Sequence, residues 1–219
     1  MNKREALDVV GSIGFPSKMP GTSYGISAKD CKTGSKLAQI PGSVCHGCYA
    51  MGGNYVYPSV IKSHEKRLEG IDSPLWVQAM VTIINWSQAR GVNKRGEKIA
   101  LGYHRWHDSG DLQSVEHLAK ICAIAAATPK VKHWLPTREL TMVKAYESSG
   151  GIVPANLVIR VCATMVDGAP SRAWPTTSTV HDNSKPHGRT CPAPRQDNAC
   201  GDCRACWNPK VANVSYHKH

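Results

Sequence analysis

KIALGYHRWHDSGDLQSVEHLAKICAIAAATPKVKHWLPTRELTMVKAYESSGGIVPANLVIRVCAT, residues 98–164, carries the most regular pattern in the chain. KIALGYHRW, VKHWLPT and NLVIRVCAT are short runs rich in aliphatic, β-branched and aromatic residues, and each reads as a strand. Between them, DLQSVEHLAKICAIAAAT reads as a helix ending before Pro129. RELTMVKAYESSG reads as a second helix, stopped by Gly150 and Gly151. Strand, helix, strand, helix, strand at about thirty residues per repeat describes βαβαβ units and a parallel sheet. The expected fold is therefore α/β, as a partial (β/α) barrel or an open parallel sheet. Right-handed crossovers place the C-terminal ends of the strands on one edge, where α/β proteins build their sites.

Upstream, PSVIKSHEKRLEGI opens with Pro58 and reads as a helix with Val60, Ile61, His64 and Leu68 on one face. A second helix is expected over residues 73–90, with Ser73 as its cap and Leu75, Val77, Met80, Val81, Ile84 and Trp86 on its buried side. Residues 1–30 hold glycine and proline too densely for a long element and read as loop after a short leading helix. Beyond Ala163, Pro170, Pro175, Pro186, Pro192 and Pro194 argue against helices and strands. The expected organisation is an α/β core over residues 1–165 with an irregular, cysteine-rich extension over 166–219, fastened by metal because it lacks apolar residues for its own core.

That extension contains CPAPRQDNACGDCRACW, with Cys200, Cys203 and Cys206 at successive C-x-x-C spacing and Cys191 able to close a four-thiolate set. Two-residue gaps let thiolates turn inward on one tight loop and share a metal. The plainer reading is a set of buried or disulfide-bonded cysteines. Nine cysteines without an export signal point instead to a reducing, cytoplasmic setting and to metal chemistry. A C-x-x-C-x-x-C run with a distant fourth cysteine is more typical of iron–sulfur ligation than of zinc, so one or two [4Fe–4S] clusters are expected, with zinc as the alternative. A second group comprises Cys31, then Cys45 and Cys48 at C-x-x-C spacing. Three thiolates leave one metal position free, as a reactive centre needs. The alternatives are a Cys45/Cys48 redox pair, or ligands shared with the C-terminal four.

Polar residues gather where the strands end. His107 and Asp108 follow the first, an imidazole beside a carboxylate that can orient a substrate or move a proton. Arg138 follows the second, free to pair with a carboxylate or phosphate if Thr137 caps the next helix. Arg160 lies inside the third, where a guanidinium needs a partner anion. These four are the candidate catalytic residues. Asp111 and Ser109 are assigned to helix capping, and Cys122 and Cys162 to small core positions. His104, His107, Asp108 and Asp111 together form the basis of a third reading, a metal-dependent hydrolase.

The net charge of +11 favours an anionic partner: nucleic acid, or a phosphorylated or carboxylate substrate. A single Phe argues against a base-stacking platform. No apolar run is long enough to span a bilayer, and the first residues do not read as a signal peptide.

TGSKLAQIPGSVCHGCYA, HRWHDSGDLQS, HWLPTRE and CGDCRACW, in this order, resemble the phage-encoded gene product 88 family of uncharacterised proteins over nearly the whole chain. That resemblance implies a phage or prophage origin and location in the host cytoplasm. More distantly, the chain resembles radical S-adenosylmethionine enzymes, which bind a [4Fe–4S] cluster through three cysteines on a partial (β/α) barrel. This second resemblance implies cluster ligation by Cys31, Cys45 and Cys48, S-adenosylmethionine at the open iron, an electron donor, and an auxiliary cluster on Cys191, Cys200, Cys203 and Cys206. The spacing departs from that family: thirteen residues separate Cys31 from Cys45, and Tyr49 follows the last cysteine rather than preceding it. The expected function is a phage iron–sulfur protein, acting as a radical-type or redox enzyme. Its rival is a non-catalytic, zinc- or cluster-stabilised basic protein that binds nucleic acid or a host factor, favoured by the charge and the basic ending YHKH.

Overall fold

A computed structural model of the protein describes residues 1–93 and 96–218; His219, which closes the basic YHKH ending, lies outside them. Seven strands form one sheet: β1 (Thr22–Tyr24), β2 (Tyr103–Trp106), β3 (Lys132–Thr137), β4 (Leu157–Val166), β5 (Thr177–His181), β6 (Arg189–Thr190) and β7 (Asn213–His217). The order is β1-β2-β3-β4-β5-β7-β6, and every pairing is parallel. The α/β class and the parallel sheet agree with the sequence reading. Among the described residues β1 and β6 end the hydrogen-bonded order.

Helices α1 (Lys3–Val10), α3 (Pro58–Ile71), α4 (Trp76–Arg90), α5 (Val115–Ala127) and α6 (Leu140–Ser148) supply the second layer, while the short α2 (Lys32–Leu37) lies at the strand ends. Pro58 occupies the first turn of α3, where its missing N–H has no intrahelical partner to lose. The main core joins Trp76, Met80 and Ile84 of α4 and Leu118 and Ile121 of α5 to Tyr24, Trp106, Leu135 and Ile159 of the strands. Alternation along β3 turns Trp134 the other way, into a smaller core with Cys206, Trp207 and Val214. Helices thus cover one face of the sheet, and the cysteine-rich C-terminal segment covers part of the other.

Residues 166–219 are not the irregular extension that their prolines suggest, since β5, β6 and β7 all belong to the sheet. These strands carry few apolar residues because hydroxyls and an amide join their buried faces. Thr177 Oγ1 donates to Asn213 Oδ1 (2.8 Å), Asn213 Nδ2 to Thr179 Oγ1 (3.0 Å), and Thr179 Oγ1 to Ser215 Oγ (3.1 Å). A buried polar ladder that is fully hydrogen-bonded leaves no hydrophobic alternation to read.

Candidate functional site

A cavity of about 420 Å³ opens at the C-terminal edge of the sheet. Its wall takes Arg105, His107 and Asp108 from β2 and the turn after it, Trp134 and Arg138 from β3 and its end, Cys162 from β4 and Tyr216 from β7. Cys31, Cys45 and Cys48 line the same cavity.

The loop carrying those cysteines is clamped to the strand ends. Glu139 accepts both the Thr33 backbone N–H and its hydroxyl, each at 2.8 Å, at the start of α2. Val44 N–H reaches Thr164 O (2.9 Å) and Val166 N–H reaches Gly42 O (2.9 Å), which ties the loop to β4. Cys48 N–H bonds to Cys45 O at 3.2 Å, closing the C-x-x-C turn. Gly47 inside it has φ +70°, a conformation glycine adopts without strain. Gly34 stands beside two of the thiols: a Cβ there would lie 2.9 Å from Cys31 Cβ and 3.5 Å from both Cys31 Sγ and Cys45 Sγ.

Burial pushes the Cys31 thiol up to about 12, with Asp111, Cys45 and Cys48 adding to the effect and Arg138 opposing it. Burial also raises Cys45, against the pull of Arg138. On their own these two are neutral thiols; a metal cation would convert them to thiolates, as metal ligation requires. Among the described residues no three Cys, His, Asp or Glu side chains converge as a ready-made metal site. The donor set and the cradle over Gly34 nevertheless suit a thiophilic metal or cluster.

His107 takes φ +54°, with its N–H on Tyr24 O at 2.6 Å. Both its ring nitrogens are buried without a partner, and the ring meets His117 edge-on, 5.4 Å between centroids. Burial, then His117 and Arg105, hold its pKa well below the usual value, so the imidazole is neutral. Asp108 Oδ2 accepts from Ser23 Oγ (3.0 Å), while Oδ1 is buried and unpaired. Tyr49 donates its hydroxyl to Asp108 O at 2.9 Å, linking this turn to the cysteine loop. Arg138 gives its backbone N–H to Asp111 Oδ2 (2.8 Å), and Thr137 gives its hydroxyl to Asp111 Oδ1 (2.6 Å). Asp111 therefore joins the β2 turn to the end of β3 rather than capping α5. Ser114 is the cap, accepting from His117 N–H at 3.0 Å, and Ser109 donates to Ile26 O at 2.6 Å.

Arg160 stands elsewhere and does something other than bind an anion. It is fully buried, and its N–H groups reach five backbone carbonyls: Cys206, Thr177, Val211, Ala205 and Asn208, at 2.8–3.1 Å. It organises the segment that bears Cys206 and does not line the cavity. His104 is also removed from the group proposed for a hydrolase, lying against Trp106 (4.6 Å) with Nδ1 on Thr22 Oγ1 (2.8 Å).

Arg105, Trp134 and Tyr216 are wall residues that the sequence reading passed over. Arg105 and Trp134 are register partners on adjacent strands, and the Arg105 guanidinium lies 4.6 Å from the Trp134 ring centroid. Strand alternation was the available signal, because Trp106 and Leu135 beside them face the helices. Cys122 is a core residue, as expected, whereas Cys162 faces the cavity.

The model of the family described as gene product 88 matches residues 2–209. The chain belongs to the gene product 88 family. No curated protein and no solved structure matches it. The family match takes in all seven candidate cysteine ligands and the cavity wall as far as Val180, leaving Tyr216, His217 and Lys218 outside.

Within this gene product 88 chain, the C-terminal cysteines lie behind the cavity on the same sheet face. Cys191 N–H bonds to Ser215 O (2.8 Å), Cys200 N–H to Lys18 O (2.8 Å) and Cys203 N–H to Cys200 O (3.0 Å). Cys206 Sγ is 3.1 Å from Tyr216 Oη. Burial is the first cause raising Cys191, Cys200 and Cys206, the last to about 12, and Cys191 and Cys203 further raise Cys200. Trp134 and Tyr216 border both the cavity and this cysteine group. No helix among the described residues is long and apolar enough to cross a membrane.

Proposed function

We propose that the protein is an iron–sulfur enzyme of the radical or redox type. Cys31, Cys45 and Cys48 would hold a [4Fe–4S] cluster with one open iron, and Cys191, Cys200, Cys203 and Cys206 would hold a second cluster or a zinc ion. The observation that carries this reading is that three thiols line one cavity with a neutral, unpartnered His107 and a guanidinium, at the sheet edge where α/β sites lie. Bound with an open iron, such a cluster supplies one-electron reduction to a ligand such as S-adenosylmethionine, drawing on an external electron donor.

The remaining roles fall to the chain itself. Arg138, whose charge lowers the pKa of Cys31 and Cys45, offsets the thiolates' negative charge. His107, a neutral imidazole with both ring nitrogens unpartnered, would orient a substrate through one donor and one acceptor, and Asp108 Oδ1 is an unpaired acceptor beside it. Four thiolates in the C-terminal set fill a metal's positions, which suits that set to fastening the tail or relaying electrons.

The test is to add S-adenosylmethionine to anaerobically reconstituted, reduced protein. Cleavage to 5′-deoxyadenosine, together with a changed cluster signal in electron paramagnetic resonance, is the expected result. A cluster signal indifferent to S-adenosylmethionine, with no cleavage, rules out the radical reading and leaves a redox role.

A further inference from the structure

The cavity wall holds two arginines, Arg105 and Arg138, whose Nε atoms are buried without an acceptor. The Arg138 side chain makes no hydrogen bond, and its Nε is buried and unpaired. Arg105 Nε is likewise buried and unpaired, and its Nη1 reaches only Met19 Sδ, at 4.0 Å. The ion pairs among the described residues, Lys120–Glu116, Lys144–Glu147 and Lys218–Asp182, include neither arginine. The contrast with Arg160, whose N–H groups reach five carbonyls, shows how this fold treats an arginine kept for structure. Burying a guanidinium Nε without an acceptor is costly, and both half-buried arginines turn their remaining N–H groups to the cavity, so an anionic ligand there would supply the missing acceptors.

Trp134 adds a third unpaired donor, its buried indole N–H, beneath the Arg105 guanidinium. The Arg105 guanidinium, held over the Trp134 ring, is a fork able to give two parallel hydrogen bonds to one oxyanion. At about 420 Å³ the cavity is of small-molecule size, and the net charge of +11 draws anions to it.

We propose that the cavity binds a small molecule through a carboxylate or phosphate group held by Arg105 and Arg138. This assignment rests on reading the cavity as the reaction site, and it names the substrate class. His107 and Asp108, on the turn after β2, then face the part of the molecule beyond the anionic group.

The experiment is isothermal titration calorimetry on the full chain in low-chloride buffer, with inorganic phosphate and succinate as separate probes. Comparison is made with Arg105→Gln, Arg138→Gln, Trp134→Phe and the exposed Lys62→Gln, circular dichroism confirming that each is folded. Loss of charge-assisted hydrogen bonds should weaken binding about tenfold or more in each arginine variant, less in Trp134→Phe, and not at all in Lys62→Gln. Preference for phosphate or for succinate tells which group the substrate carries. No binding of either anion to the wild-type chain, or equal binding to the wild type and both arginine variants, overturns the proposal. Cys45→Ser separates this assignment from the iron–sulfur reading: anion binding should survive there whatever becomes of the iron. If binding vanishes in Cys45→Ser together with the metal, the anion sits on the metal and the arginine site is refuted.

Discussion

Glu139 grips Thr33 with both carboxylate oxygens, Oε1 on the backbone N–H and Oε2 on the hydroxyl, each at 2.8 Å. One contact spans 106 residues of sequence and fixes the start of α2, directly after Cys31, against the end of β3. A carboxylate also complements the N-terminus of a helix. Glu139→Gln turns one acceptor into a donor facing a donor. It should cost about 1–3 kcal/mol in urea unfolding and lower the metal retained per chain. The exposed Glu147→Gln should change neither.

Gly34 lies close to both the Cys31 and the Cys45 sulfur. Its replacement by alanine puts a methyl 2.9 Å from Cys31 Cβ and 3.5 Å from both sulfurs. The helix itself favours alanine by about 0.8–1 kcal/mol, so the fold should hold while the metal site is crowded. Gly34→Ala is expected to keep its circular dichroism spectrum and lose metal from the front site, as counted by elemental analysis.

Arg160 draws five carbonyls onto one guanidinium. Arg160→Leu leaves those carbonyls buried without donors and should cost about 3–5 kcal/mol, the scale for breaking a buried charged network. Arg160→Lys offers three donors from a point charge and should recover only part of the loss. Urea-unfolding midpoints of the three proteins check the ranking.

Acid should destabilise the protein below neutrality. Burial is the first cause holding His104, His107, His117 and His133 below the usual 6.5, His117 and His133 at about 3. In His133 the hydrogen bonds fix the neutral form: Nδ1 accepts from Trp106 Nε1 (3.2 Å), and Nε2 lies 2.8 Å from Thr128 Oγ1, which itself donates to Ile124 O. The unfolded chain takes up protons near 6.5 that the folded chain refuses, so stability is complete above 6.5 and is lost as pH falls towards 3. Asp111, raised by burial from 3.8 to about 6, acts oppositely, favouring the fold as pH falls from 6 to 3.8. Each group contributes at most about 1.4 kcal/mol per pH unit, so four imidazoles outweigh one carboxyl. Urea midpoints should fall between about pH 7 and about pH 5, less steeply in His133→Gln.

The strands and helices of residues 98–164 were legible because their apolar periodicity is strong, and α3 begins at the Pro58 that marks it. β1 was hidden by its three-residue length among glycines and prolines, and β5 and β7 by their hydroxyl-rich buried faces. At the site, C-x-x-C spacing and strand-end polarity pointed to Cys31, Cys45, Cys48, His107, Asp108 and Arg138, which the fold brings to one cavity. Arg105 and Trp134 escaped notice because they lie within strands, where only the direction of alternation shows which side they face. Arg160 invited the wrong role for the same reason: a buried arginine announces its need for acceptors, but the sequence does not say whether a ligand or the backbone supplies them.

Counting iron, acid-labile sulfide and zinc in anaerobically purified protein, with electron paramagnetic resonance after reduction, decides whether a cluster is present. The wild type should be brown, with iron and sulfide in similar amounts and a cluster signal on reduction. Cys45→Ala should lose the front cluster's share of that signal while keeping the metal of the C-terminal set, and Cys203→Ala should do the reverse. A colourless protein carrying stoichiometric zinc and no sulfide after anaerobic reconstitution contradicts the iron–sulfur assignment.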